Sequence, residues 1–405
     1  MCSSKGKASE EPSTMKKNGI LIIAVYSHIE AYPPSLNAVH HLATLFERII
    51  VLVPNVMQSK WKYPENVEMK PYGKYIDVSV VGKKSLFKKL SFFVGYGIYL
   101  SKLIKLNKPN LVLLYDPLSF SALNLFSGKY VQKRIIPIWY HSHDVMDARA
   151  LPKFSLMWIS RQLELRYFSK ITFFSLPNKV RLQYFPIHLL QYPPVILPNF
   201  PSLHIFGKQY TVKQNPEHVL KLIFQGQISR SSSLDAFVRI LKNQISGKNI
   251  ELHLAGPVDP DYRHFLQSLA NELQVTHQLI FHGLLPYSEL PCLTASCDIG
   301  IAVYGSHNTM VKTMSTASNK IFEYASLGLP VIMNKRSDME EELGQYPWIH
   351  FTEIAEKGLM DCLSKIDDSY FHLSAAARKD IEAALNFEIY FGRFIQEITN
   401  YLKIH

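Results

Sequence analysis

Cysteine is scarce in this sequence and widely spaced. Cys2, Cys292, Cys297 and Cys362 form no CxxC pair, which excludes a disulfide framework and a zinc knuckle and favours a reducing compartment. Long apolar runs are missing too. The longest, residues 90–100, is about half of what a bilayer-spanning helix requires and has lysines on both sides, so no transmembrane helix is expected. Residues 1–18 lack the apolar centre of a signal peptide, and 1–14 read as a flexible tail ahead of Met15. No GxGxxG fingerprint follows a strand, since Gly95-Tyr96-Gly97 has no third glycine. That argues against a nicotinamide-dependent oxidoreductase.

What is present is material for two cores. With 405 residues, 47% of them hydrophobic, the chain exceeds the size at which a single core keeps growing. The net charge is +11, yet eleven lysines in residues 60–108 meet only Glu65, Glu68 and Asp77. An excess confined to one segment, without a recognised binding motif, argues against nucleic acid as a partner.

Residues 19–26 and 48–54 are uninterrupted apolar runs separated by a helix-compatible stretch, 35–46. This is the pattern of a βαβ unit whose strands are covered on both faces. Strands at 111–114 and 135–139 continue it. The pattern breaks around Pro193, Pro194, Pro198 and Pro201, and a more regular alternation then runs from Leu220 to a strand at 330–333. Two Rossmann-like, doubly wound α/β domains are expected, 15–200 and 201–384. A last helical stretch, 375–402, is long enough for its end, about 385–405, to join the first domain. Ligands of such sheets lie beyond the carboxyl ends of the strands, facing the cleft between the domains.

One segment carries the strongest chemical signal. Ser318-Asn319-Lys320 opens a helix, Glu323 follows one turn later, Gly328 closes the helix, and Pro330-Val331-Ile332 enters a buried strand. Free N–H groups and the helix dipole suit a diphosphate, and Lys320 adds a full charge. Glu323 can accept hydrogen bonds from two vicinal ribose hydroxyls. An amphipathic helix with a merely solvated Lys320 and Glu323 is the plainer alternative.

The segment resembles the C-terminal motif of retaining nucleotide-sugar glycosyltransferases of family 4, the glycosyl transferases group 1, which have the two-Rossmann-domain GT-B fold. Two upstream runs are similar to the same family. Phe281-His282-Gly283, followed by Ala295-Ser296-Cys297-Asp298, looks like its strand, glycine turn and aspartate-then-strand run. Phe224-Gln225-Gly226 looks like its first C-domain strand and glycine loop. The resemblance implies donor contacts from Gly226, Gly283, Ser318, Asn319, Lys320 and Glu323. Two departures stand out. Where the family carries Arg and Lys for the diphosphate this chain has Gln227 and Ser232, so Arg230 is named as a substitute phosphate ligand. Where the family's Glu-x7-Glu signature has its first carboxylate, this chain has Ser315.

In the first half, His141-Ser142-His143-Asp144 ends a strand and looks like the family's H-x-H-E/D segment. The resemblance implies catalytic roles for His143 and Asp144 beside Glu323. A neutral imidazole there could hold a hydroxyl or the leaving phosphate oxygen, whereas His141, His143 and Asp144 as metal ligands is the rival reading. The first strand-to-helix loop carries Pro33 and Pro34 in place of the family's glycines, and a helix starting near Ser35 would offer N–H groups to an anion.

The basic segment forms an amphipathic helix on paper. Leu86, Leu90, Phe93, Gly97, Leu100 and Ile104 share one face, with Lys84, Lys88 and Lys102 opposite. Through these lysines and the aromatics Phe92, Tyr96 and Tyr99 on one flank, residues 83–108 are expected to contact an anionic membrane surface from the cytoplasmic side. In sum, the resemblance implies a sugar transferase with a UDP-sugar donor and a lipid-linked or glycan acceptor in cell-surface polysaccharide or lipopolysaccharide synthesis. It implies retention of configuration, no metal and no cofactor beyond the co-substrate. A sugar-nucleotide binder that does not transfer is the alternative, kept open by Ser315 and Ser232.

Overall fold

The computed structural model describes residues 19–55, 61–75, 85–305 and 309–404. The tail 1–14, Lys83 and Lys84 lie outside these. In the first domain, β1 (Ile20–Ala24), β2 (Arg48–Pro54), β3 (Val67–Tyr72), β4 (Leu111–Leu114), β5 (Ile138–His141), β6 (Phe173–Leu176) and β7 (Val195–Ile196) form one sheet in the order β3-β2-β1-β4-β5-β6-β7. All its pairings are parallel. The apolar runs of β1, β2 and β4 are fully buried because helices cover both faces. In the second domain, β8 (Val219–Gln225), β9 (Gln244–Ile245), β10 (Lys248–Ala255), β11 (Leu279–Gly283), β12 (Ile299–Ala302), β13 (Val331–Asn334) and β14 (Ile349–Thr352) follow the order β11-β10-β8-β12-β13-β14, with β9 antiparallel on β10. Strand order reverses between β1 and β4 and between β8 and β12, which opens a crevice at the carboxyl ends of these pairs.

Four helices position the site: α1 (Pro33–Leu42), α2 (Leu86–Asn107), α3 (Asn319–Ser326) and α4 (Phe387–Ile404). The last helical stretch is broken rather than continuous. A helix Tyr370–Ala383 packs Ala377 and Ile381 into the second domain, the chain turns at 384–386, and α4 places Phe391, Phe394 and Ile398 in the core of the first. The two halves of the stretch thus cover different domains.

Three departures from the sequence pattern have local causes. β3, with the sequence VEMKPY, was not apparent because it is a half-exposed edge strand, where Pro71 is tolerated. β5 begins three residues later than expected because Ile135 turns the chain at φ 54 and is exposed. In α2, Gly95 and Gly97 serve packing, since a Cβ would lie 1.9 Å from the Tyr72 hydroxyl and 2.2 Å from the Phe126 ring, respectively. No helix among the described residues is long and apolar enough to cross a membrane.

Candidate active site

The carboxyl ends of three neighbouring strands in the second domain finish in glycines with positive φ: Gly226 after β8, Gly256 after β10 and Gly283 ending β11. Gly226 donates its N–H to Ala255 O and Gly256 donates to Gly283 O, at 2.9 and 2.8 Å. The backbones therefore lie flush, and a Cβ on Gly256 would sit 2.1 Å from Gly226 O. Gly256 was missed in the sequence because it belongs to no motif there. At Gly283 a Cβ would meet nothing within 4 Å, so within the chain only its φ of +71 calls for glycine.

Opposite this floor stands the N-terminus of α3. Ser318 precedes it in extended conformation without capping the helix; its hydroxyl pairs instead with the Tyr304 hydroxyl beyond β12. The first N–H groups of α3 thus lack a side-chain cap. Asn319 Oδ1 is buried without a hydrogen-bond partner, an orphan at the very point where a ligand would sit. The Lys320 ammonium lies 4.2 Å from the Phe224 ring centroid and 5.2 Å from that of Tyr304, and it is the nearest group to a Cβ built on Gly226, at 3.4 Å. The dipole, the ammonium and the glycine loop converge on one spot.

Glu323 is buried on the same helix and accepts a 2.9 Å hydrogen bond from the Tyr287 hydroxyl. Tyr287 in turn lies against Phe206 and, across the cleft, Trp61 of the first domain. Burial raises the Glu323 carboxyl to about 7, opposed by the Tyr287 bond and the Lys320 charge. Burial likewise lowers the Lys320 ammonium to about 8, opposed by the Glu323 charge. One oxygen of Glu323 is thus already engaged, and the other remains for a sugar hydroxyl.

The remaining second-domain residues divide. Arg230 is exposed, and its guanidinium lies over the rings of Phe265 and Tyr262, at 4.9 and 5.8 Å. The structure thus packs its side chain against the helix Pro260–Glu272. Ser232 closes a capping box with Ser229. Ser315 is buried in a polar cluster: it accepts from Asn178 and donates to Glu342 Oε2, which also accepts from Asn178 at 3.2 Å. A carboxylate therefore does reach the Ser315 position, delivered by the helix Ser337–Leu343.

On the first-domain side the structure corrects the expected setting of His143. Its imidazole is buried between the rings of Tyr32 and Tyr115, stacked on both at 4.7 Å, and its Nε2 pairs with Ser35 Oγ at 2.7 Å. Burial, with the charges of His141 and Arg181, pulls its pKa well below the usual value, so the ring is neutral and enclosed rather than open to the cleft. His141 pairs through Nδ1 with Ser175 Oγ at 2.8 Å. Asp144 is partly exposed, with its carboxyl raised by burial against Arg181 and a bond from Tyr32. The first turn of α1 lacks the free N–H groups that were expected to face an anion. Pro33 and Pro34 have no N–H, and the Ser35 N–H donates to Tyr32 O at 2.9 Å.

Arg181 joins the two halves of the site. Fully buried, it donates to His143 O on one side and to Thr313 O and Oγ1, each at 3.2 Å, on the other. Thr316 Oγ1 donates to Pro177 O and Asn199 Nδ2 to Ala317 O, at 2.8 and 2.7 Å. The segment leading into α3 is therefore fastened to the first domain, an arrangement that no motif announced.

Comparison with known proteins bears on the fold. Residues 220–355 match the family model of glycosyl transferases group 1. No curated protein matches the chain by sequence. Among solved structures, a sucrose-phosphate synthase from Thermosynechococcus elongatus superposes with a TM-score of 0.68 at 13% identity, covering 95% of this chain and 100% of its own. HepE from Anabaena in complex with UDP gives 0.64 at 11%, covering 94% and 99%. WaaG, a glycosyltransferase involved in lipopolysaccharide biosynthesis, gives 0.57 at 14%, covering 91% and 96%. The fold is GT-B, and with the match over residues 220–355 it defines the class as glycosyltransferase.

Proposed function

We propose that the chain transfers a sugar from a UDP-sugar to a lipid-linked or glycan acceptor of cell-surface polysaccharide or lipopolysaccharide synthesis, with retention of configuration. The observation that carries the donor half is the uncapped N-terminus of α3, with Lys320 over the Gly226 loop and Glu323 one turn along. As the glycosidic bond to the diphosphate breaks, negative charge grows on the leaving oxygen, and the helix N-terminus with Lys320 is already aimed there. Glu323 holds the ribose. UDP as the nucleotide is supported by the UDP complex of HepE, and the acceptor class by the likeness to WaaG. Retention rests on the family resemblance: the departing phosphate takes the acceptor proton on the face it leaves. His143 acts by positioning, through its backbone bond to Arg181, and Asp144 is the first-domain group open enough to meet the acceptor hydroxyl.

The acceptor surface includes α2. Its residues Leu86, Phe87, Leu90, Val94 and Ile98 are exposed beside Lys88 and Lys102, which supports attachment to an anionic membrane from the cytoplasmic side. A second reading, a sugar-nucleotide binder without transferase activity, draws on the serine at position 315. Lys320→Ala and Glu323→Ala decide between them, with thermal shifts by UDP-, GDP- and ADP-sugars and donor turnover as readouts. Transferase function requires turnover in the parent and its near-complete loss in both variants with the fold retained. Donor binding without any turnover would favour the binder.

A further inference from the structure

Three side chains from separate segments converge where the chain crosses between the domains, at the opposite end of α1 from Ser35. His41 lies in the last turn of α1, His204 in the crossover after Pro201, and Glu388 in the first turn of α4. One ligand atom from each lies within 4.8 Å of the others. His41 Nε2 is 3.8 Å from Glu388 Oε1, beyond hydrogen-bond reach, and it is buried without a partner. A buried imidazole nitrogen left unpaired calls for an explanation, and nothing in the transfer reaction uses it.

The surroundings are those of a ligand set held in place. Ser202 Oγ donates to Glu388 Oε1 at 2.6 Å and the Leu203 N–H donates to Oε2 at 3.2 Å, fixing the carboxylate as outer-shell partners fix a metal ligand. The ring of His40 stands 6.3 Å from His41 and 6.5 Å from His204. Lys208 also faces His40, which leaves water as the better fourth ligand.

We propose that His41, His204 and Glu388 bind one divalent transition-metal ion of the zinc class, which pins the domain crossover and α4 to α1. Two imidazoles and a carboxylate suit zinc, cobalt or nickel rather than magnesium or calcium. Bonds of about 2.0–2.1 Å require the ligand atoms to close to roughly 3.3 Å of one another, which asks exposed His204 to turn its side chain and the His41–Glu388 pair to close from 3.8 Å. The ion would lie outside the cleft and take no part in sugar transfer.

The test uses the tag-free full chain stripped with a chelator. Cobalt(II) titration followed by visible absorption should show tetrahedral bands saturating at one ion per chain, and zinc should displace it and raise the melting temperature. His41→Gln and His204→Gln should each weaken zinc binding at least about tenfold. Because His204 is exposed, His204→Gln keeps the fold and the comparison stays clean. No saturable binding at one ion per chain, or unchanged affinity in both variants, overturns the site.

Discussion

The hydroxyl of Tyr287 donates to Oε1 of Glu323 at 2.9 Å, and this pair sets the pH response of the donor site. Donor binding requires Glu323 ionised and Lys320 protonated. With these groups at about 7 and about 8, binding weakens as pH falls through the first value and as it rises through the second. A bell-shaped kcat/KM with its maximum between the two is expected. Tyr287→Phe removes a bond that favours the carboxylate and moves the acid limb to higher pH; Glu323→Gln abolishes that limb. Stability of the unliganded protein runs the other way. A carboxyl raised in the folded state contributes most below its ordinary range, and that contribution is lost as pH rises through about 7. A donor profile without an acid limb in the parent enzyme would refute the assignment.

Gly226 and Gly256 separate function from folding. Gly256→Ala drives a Cβ to 2.1 Å from Gly226 O at a φ of +140, where backbone must move, and a loss of about 1–3 kcal/mol is expected. At Gly226 the φ is +122, but the first atom met is the flexible end of Lys320 at 3.4 Å. Gly226→Ala should therefore raise the donor KM by severalfold with a smaller fall in melting temperature. Melting curves and donor titrations of the two variants check the order.

Arg181 carries the third prediction. Arg181→Met removes the donations to His143 O and Thr313 O inside a buried junction, a loss of about 2 kcal/mol or more. Arg181→Lys restores the charge but not the planar fork that reaches both domains, so it should recover only part of it. Because Thr313 leads into α3, both variants should also raise the donor KM, and equal donor KM in all three proteins would show the junction to be purely structural.

Local features were legible in the sequence and tertiary ones were not. The start of α3 at Asn319, its charged first turns and its glycine stop are encoded within ten residues, as are the apolar strands β1, β2 and β4. The Tyr287–Glu323 pair and the Arg181–Thr313 bridge span 36 and 132 residues, and no local pattern announces them. His143 was found by its motif, yet its enclosure comes from Tyr32 and Tyr115 on two other loops. For α2 the helical period was readable, while the face turned inward was chosen by the sheet. Phe93, Gly97, Leu100 and Ile104 went into the core, and Leu86 and Leu90 of the same expected face stayed outside.

That division of α2 defines the last prediction. The membrane contact proposed above would use the apolar side chains that α2 leaves exposed, Leu86, Phe87, Leu90, Val94 and Ile98, with Phe87 80% exposed, whereas Tyr96 of the aromatic flank expected to share in it is buried in the core. α2 runs between β3 and β4, antiparallel to both, so its N-terminal half lies at the carboxyl ends of the strands, beside the cleft. An acceptor anchored in a lipid surface under this stripe would need only to reach over the rim of the first domain. Flotation with anionic vesicles should recover the parent chain, and with neutral vesicles much less of it. Each lysine near such a surface contributes about 1 kcal/mol, so Lys84→Glu with Lys88→Glu should lower partitioning at least about tenfold. Phe87→Ser with Leu90→Ser should lower it as well, through lost apolar burial, leaving turnover on a soluble acceptor analogue unchanged. Binding that survives both pairs of substitutions would remove α2 as the membrane contact.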